Sequence, residues 1–244
     1  MAATAWHGPS YVSAALGTRL ATGRPLADAE SSQIHGALML TDIEGWTSRV
    51  EELCGIGPEG LDELARTLNE YFVTLTEIVY GHGGDLLTAT GDAFLCCWQA
   101  DDDEGLTEAT VRAAQAGLAF QAAYAGLALR TRIGIATGEL ELAFVGGVNG
   151  RWELLPIGAP LDDVAATERA APAGSVVLAP SAWSRIAGLA DGEALDKAGL
   201  VLLRSLRAPP GPEGPHGRTD IDADAIAPFV PAPVRGWRAE SGTE

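Results

Sequence analysis

Positive charge is scarce in this chain and lysine almost missing: of 244 residues only 16 are basic, and Lys197 is the sole lysine. It follows Asp196 rather than a glycine, so the phosphate-cradling lysine of a P-loop does not exist here and P-loop nucleotide hydrolysis is excluded. Against those 16 cations stand 33 Asp and Glu, which gives a formal charge of −17. A chain so acidic lacks the basic face that nucleic acid or an anionic membrane attracts. Cysteine is also rare. Cys54, Cys96 and Cys97 form neither an even disulfide set nor a CxxC pair. Adjacent residues of a strand point to opposite faces, so Cys96 and Cys97 in their apolar run, like Cys54, are read as small buried hydrophobes of a reducing compartment. No apolar stretch approaches the roughly eighteen residues of a membrane helix. The opening MAATAWHGPSYVSAALG lacks the basic start and continuous apolar core of a signal peptide. A cytoplasmic protein with no nucleic-acid and no membrane partner is the expectation.

What is present is a large core and a layered pattern. With 47 % hydrophobic residues the chain buries a substantial interior. Its length fits one domain plus a tail. Residues 34–204 alternate apolar runs with helical patterns, as in a mixed α/β layer domain. GALMLT (36–41) reads as a buried strand ending at Asp42, and Ser48 with Glu51 reads as a capping box for a short helix. After Pro58, residues Leu61, Leu64, Leu68, Phe72, Leu75 and Val79 form a core-facing helical stripe. LLTAT (86–90) and AFLCCW (93–98) flank Gly91-Asp92, a hairpin signal. The acidic run Asp101 to Glu104 is expected to be a solvated loop ahead of an alanine-rich helix over 107–125. Residues 129–140 and 141–146 read as a further strand pair. They are followed by a strand from Trp152 to Ile157, a helix over 160–170, a strand at 175–179 and a short helix capped by Ser181. Residues 1–33 are a lead-in, and 205–244 a linker and tail, since 208–218 hold four Pro and three Gly. FVPAPVRGWRAESG (229–242) faintly echoes YVSAALGTRLATG (11–23), as if a second unit began there.

Two carboxylates stand where strands deliver them. Asp42 ends one strand and Asp92 sits at the hairpin tip. If those strands are neighbours, both carboxylates meet at one sheet edge, which suits one or two Mg²⁺ ions held together with substrate phosphates. Taken singly, Asp42 also reads as a helix cap and Gly91-Asp92 as an ordinary turn.

LMLTDIEGWTSRVEEL (38–53), GGDLLTATGDAFLCCW (83–98) and RIGIATGEL (132–140) together resemble the class III nucleotidyl cyclase catalytic domain. ELLPIGAPLDDVAATERAAPAGSVVLAPSAW (153–183) narrows the resemblance to the first cyclase domain of the bicarbonate-responsive soluble adenylyl cyclases. It covers about residues 11–204, and PFVPAPV resembles the lead-in to the second domain of such proteins. The resemblance implies an α/β (α+β) fold of the ferredoxin-like βαββαβ type, a central and mostly antiparallel sheet with flanking helices. It also implies head-to-tail pairing of two such domains around one active site. Two aspartates of one partner would hold two Mg²⁺ (Mn²⁺ can substitute), which activate the ribose 3′-hydroxyl of ATP, or GTP, to form cyclic nucleotide and pyrophosphate. On this sequence those aspartates are Asp42 and Asp92, with the Ile43 backbone carbonyl as a further ligand.

Other family positions depart. The purine-selecting lysine falls on Thr88 and its polar partner on Leu155, while the transition-state asparagine and arginine fall on Asp162 and Ala166. The two cations of the family's bicarbonate site fall on Thr88 and Ala165. Arg130, Arg132, Arg151 and Arg169 are the cations that could stand in, Arg169 lying one helical turn past Ala166. The resemblance therefore implies the metal-binding half of a cyclase, needing a second, complementary cyclase-type domain in cis or trans rather than acting as a simple homodimer. The alternative is a non-catalytic cyclase-homology module for nucleotide binding, dimerisation or regulation.

Overall fold

A computed structural model describes residues 13–24, 26–126, 129–195, 198–211 and 223–229. In chain order the elements are α1 (Ala14–Ala21), β1 (Glu30–Ile43), α2 (Trp46–Ile56), α3 (Pro58–Gly81), β2 (Asp85–Thr90), β3 (Ala93–Ala100), α4 (Leu106–Ala123), β4 (Thr131–Gly146), β5 (Trp152–Ile157), α5 (Ala159–Ala170), β6 (Ser175–Leu178), α6 (Pro180–Ile186), β7 (Ala190–Ala194), β8 (Val201–Leu206) and α7 (Ala223–Ile226). They divide into two compact units. The larger is made of residues 33–140 and 158–216, the smaller of 1–32, 141–157 and 217–244.

In the larger unit the strand order is β2-β3-β1-β4-β6-β8-β7. The β2–β3, β1–β3, β6–β8 and β7–β8 ladders are antiparallel and β4–β6 is parallel. The fold is thus the mixed α+β type with a mostly antiparallel sheet. Cys96 and Cys97 are both buried, which means that both faces of β3 are covered. Burial pushes both thiols up, so they stay protonated and inert. Cys54, by contrast, is exposed on α2, because the buried side of that helix is taken by Trp46 and Leu53.

The α3 stripe packs as its spacing predicts from Leu64 onward: Leu75 and Val79 are buried and Leu64, Leu68 and Phe72 lie against the core. Leu61, near the N-terminus, is 51 % exposed. Tyr71 is fully buried on the same helix, with its ring 5.5 Å from Phe94 and 5.3 Å from Phe120. Its hydroxyl lies 2.9 Å from the Thr41 hydroxyl, so each buried polar group satisfies the other.

Four local expectations are corrected. The capping box at Ser48 and Glu51 is not used: α2 begins at Trp46, and Gly45, with φ 71°, stands at the cap with no side-chain bond. Only glycine adopts that left-handed turn without strain, and it swings buried Trp46 under the end of β1. Residues 129–140 and 141–146 are one strand, β4, rather than a pair, since Gly138 is not among the positive-φ glycines a turn would need. Ser181 does not cap α6. Ala179 holds that position, and the Ser181 hydroxyl accepts the Thr137 amide at 3.3 Å. β7 and β8 were not anticipated, because ADGEA carries no apolar alternation. Asp101 to Glu104 are exposed as expected, with Asp103 paired to Arg185.

In the smaller unit Ser13 caps α1 by accepting the Leu16 amide at 3.2 Å, and Arg19 pairs with Glu30. The far half of β4 pairs antiparallel with β5. Along β5 the outward residues are Glu153, Leu155 and Ile157, the last two 41 % and 50 % exposed. Beyond Phe229, the segment echoing 11–23 lies outside the described residues. Among the described residues no helix is long and apolar enough to cross a membrane.

Candidate functional site

The site grows out of the β1–β3 ladder of the larger unit. Thr41 pairs with Phe94, and two more steps of the same register set Ile43 opposite Asp92. The backbone agrees: Asp92 Oδ2 accepts the Ile43 amide at 3.2 Å. Gly91 turns the chain with φ 64°, which leaves Asp92 at the hairpin tip. Thr41 and Ile43 point inward and are buried, so by the period of two Asp42 emerges on the other face, partly exposed. There its carboxylate lies within reach of Asp92 and raises the affinity of Asp92 for a proton. Sequence reasoning placed these two carboxylates at one sheet edge, and the structure brings them together.

A cation that the sequence offered only as one of four occupies the site. Arg132, near the start of β4, donates from a terminal guanidinium nitrogen to Asp42 Oδ2 at 2.5 Å. Its Nε lies 3.2 Å from Glu168 Oε1 on α5. Glu168 was missed, although it shares the buried face of α5 with Val164, four residues earlier. That spacing is the signal that could have found it. The other arginines are occupied elsewhere or exposed: Arg130 donates to the Ala173 carbonyl, Arg151 pairs with Glu153, and Arg169 is exposed. Thr88 is exposed on β2, Asp162 and Ala166 on α5, and Leu155 on β5 of the smaller unit.

Gly134 makes the Glu168 approach possible. A Cβ there would lie 2.4 Å from the Glu168 amide nitrogen and 2.7 Å from the Val164 carbonyl oxygen. Backbone sits against backbone, and neither partner can rotate away. Gly134→Ala is expected to destabilise the domain by about 1–3 kcal/mol, read as a lower urea midpoint at unchanged m-value.

The electrostatics follow from burial and neighbours. Burial first, then the Asp42 charge, raises the Asp92 pKa, and the amide donors at Asp92 and Ile43 partly oppose this. Burial also raises Glu168, with Arg132 opposing and Asp42 adding. Asp42 and Glu168 both pair with the Arg132 guanidinium, and Glu44 adds a further negative charge near it. Among the described residues no group of three or more His, Cys, Asp or Glu is placed to hold a metal ion. Asp42 and Asp92 are two adjacent carboxylates, an all-oxygen donor set with open positions. That set fits Mg²⁺, which keeps several waters and shares substrate phosphates.

No protein-family model matches the chain. Adenylate cyclase type 10 of Oryctolagus cuniculus is 31 % identical over 156 residues, 61 % of this chain and 10 % of that protein. The human adenylate cyclase type 10 is 28 % identical over 184 residues, 72 % of this chain and 11 % of that protein. The chain thus spans about a tenth of the length of the curated relatives it matches. Among solved structures, the adenylyl cyclase CyaB from P. aeruginosa superposes with a TM-score of 0.61 at 22 % identity, covering 75 % of this chain and 100 % of that one. The guanylyl cyclase domain of the RhoGC fusion protein from Blastocladiella emersonii gives 0.60 at 17 %, with 75 % and 100 % covered. The chain thus has the fold of solved adenylyl and guanylyl cyclase domains, and over part of its length it is similar in sequence to adenylate cyclase type 10.

Proposed function

We propose that the chain is the metal-binding half of a class III nucleotidyl cyclase, forming cyclic AMP and pyrophosphate from ATP together with a complementary cyclase-type domain, in intracellular signalling. The observation that carries this reading is the Asp42–Asp92 pair held at one sheet edge by the β1–β3 register. Mg²⁺ held by Asp42 and Asp92 would supply charge neutralisation on the triphosphate and activation of the attacking 3′-hydroxyl. The chain's own part is positional. The Ile43 amide fixes Asp92, the end of β1 aims Asp42 at it, and the two carboxylates with the Ile43 carbonyl form the oxygen donor set.

The partner requirement rests on what this surface lacks. Thr88, Asp162, Ala166 and Leu155 offer neither a cation for the transition state nor the family's purine contacts. The outward Leu155 and Ile157 of β5 are the apolar surface a second domain would cover. A cytoplasmic location accords with the buried, free Cys96 and Cys97.

The test incubates the chain, a complementary second cyclase domain and Mg²⁺ with equimolar ATP and GTP, and identifies products by mass spectrometry. Cyclic AMP is expected. Cyclic GMP alone would correct the substrate, and no cyclic product would favour the non-catalytic module, which the four departures support.

A further inference from the structure

Arg132 stands between two carboxylates and is bonded well to only one. Its terminal nitrogen donates to Asp42 at 2.5 Å, whereas Nε and Glu168 Oε1, at 3.2 Å, are within ion-pair distance but misaligned. Those two atoms are the buried side-chain polar atoms without a hydrogen bond among the described residues. An unsatisfied buried polar atom is costly, so its presence asks for an explanation such as an ion that the site also accommodates. A guanidinium presents several donors in a rigid fork, so releasing Asp42 lets it turn fully onto Glu168. Glu168 itself cannot leave, being 6 % exposed and fixed on α5 by the close Gly134 contact.

We infer that Arg132 is a built-in counter-cation that holds Asp42 while the metal site is empty of divalent ions and transfers to Glu168 when a divalent cation takes Asp42. This rests on the metal-site reading above and adds to it a competitor and a receiver. Arg132 is then a positioning residue that sets divalent affinity. Removing it frees Asp42, and removing the charge of Glu168 strands Arg132 on Asp42. A merely structural arginine predicts otherwise, since its loss would weaken folding and metal binding together.

The experiment is a Mn²⁺ titration of the whole chain followed by electron paramagnetic resonance, with thermal melts of each variant with and without Mn²⁺. Arg132→Met is expected to bind Mn²⁺ about tenfold more tightly than the unsubstituted chain while melting lower in the absence of metal, since one attractive contact to Asp42 no longer competes. Arg132→Lys, which keeps the charge, should stay within about threefold of the unsubstituted affinity. Glu168→Gln should bind several-fold more weakly, and that loss should vanish in the Arg132→Met background, the coupling a double-mutant cycle detects. Asp92→Asn separates the two levels of the reading. If it abolishes Mn²⁺ binding while Arg132→Met leaves affinity unchanged or weaker, the counter-cation role is overturned and the metal site stands. If no variant or parent binds Mn²⁺ through Asp42 and Asp92, both fall. Should Arg132→Met fail to fold, an unchanged affinity in Glu168→Gln overturns the inference by itself.

Discussion

Asp42→Asn is expected to lower cyclic nucleotide formation by the complemented chain on the order of 10³-fold, the scale of losing a preorganised charge-stabilising group. Asparagine is the informative replacement. It keeps the shape of Asp42 and still accepts a hydrogen bond from Arg132, so the fold around β1 and β4 is preserved while the charge is removed. The predicted signature is a collapse of kcat at saturating Mg²⁺ with unchanged circular dichroism. A variant that keeps its full rate would mean that the end of β1 holds no metal in the reaction.

The second large effect is a gain. In the chain alone, Asp162→Asn with Ala166→Arg is expected to raise cyclase activity by about 10²-fold over the unsubstituted chain, because each restores a donor whose absence costs that order. Both positions are exposed on α5, so neither substitution disturbs the core. The two gains are not expected to add, since groups that act on one transition state behave as a unit. Thr88 and Leu155 still lack purine contacts, so the rate should remain below that of the complemented pair. No gain from the double variant would mean that the missing Asn and Arg are not what keeps the single chain silent.

Much of the fold was legible because its signals are local. The continuous apolar run AFLCCW, the Gly91-Asp92 turn and the stripe on α3 each follow from a short window of sequence, and β1 beside β3 brings Asp42 to Asp92. What could not be read depends on contacts far apart in sequence or on conformation at one glycine. Gly45 displaces the cap expected at Ser48 because its positive φ lets α2 begin three residues earlier. Gly138 resembles a turn residue, yet β4 runs straight through it, where a Cβ would meet Pro160 at 2.9 Å. Glu168 shares the helix face of Val164, but no spacing rule connects residue 132 to both 42 and 168.

The measurement that bears most directly on a two-part cyclase is the initial rate of cyclic nucleotide formation with Mg²⁺ and ATP, taken for the purified chain alone and again on addition of a complementary second cyclase domain. The account predicts near silence alone, a rate rising in proportion to the added domain until the two are equimolar, and no rise when the chain carries Asp42→Asn. A full rate from the chain alone, unaffected by the second domain, would contradict it.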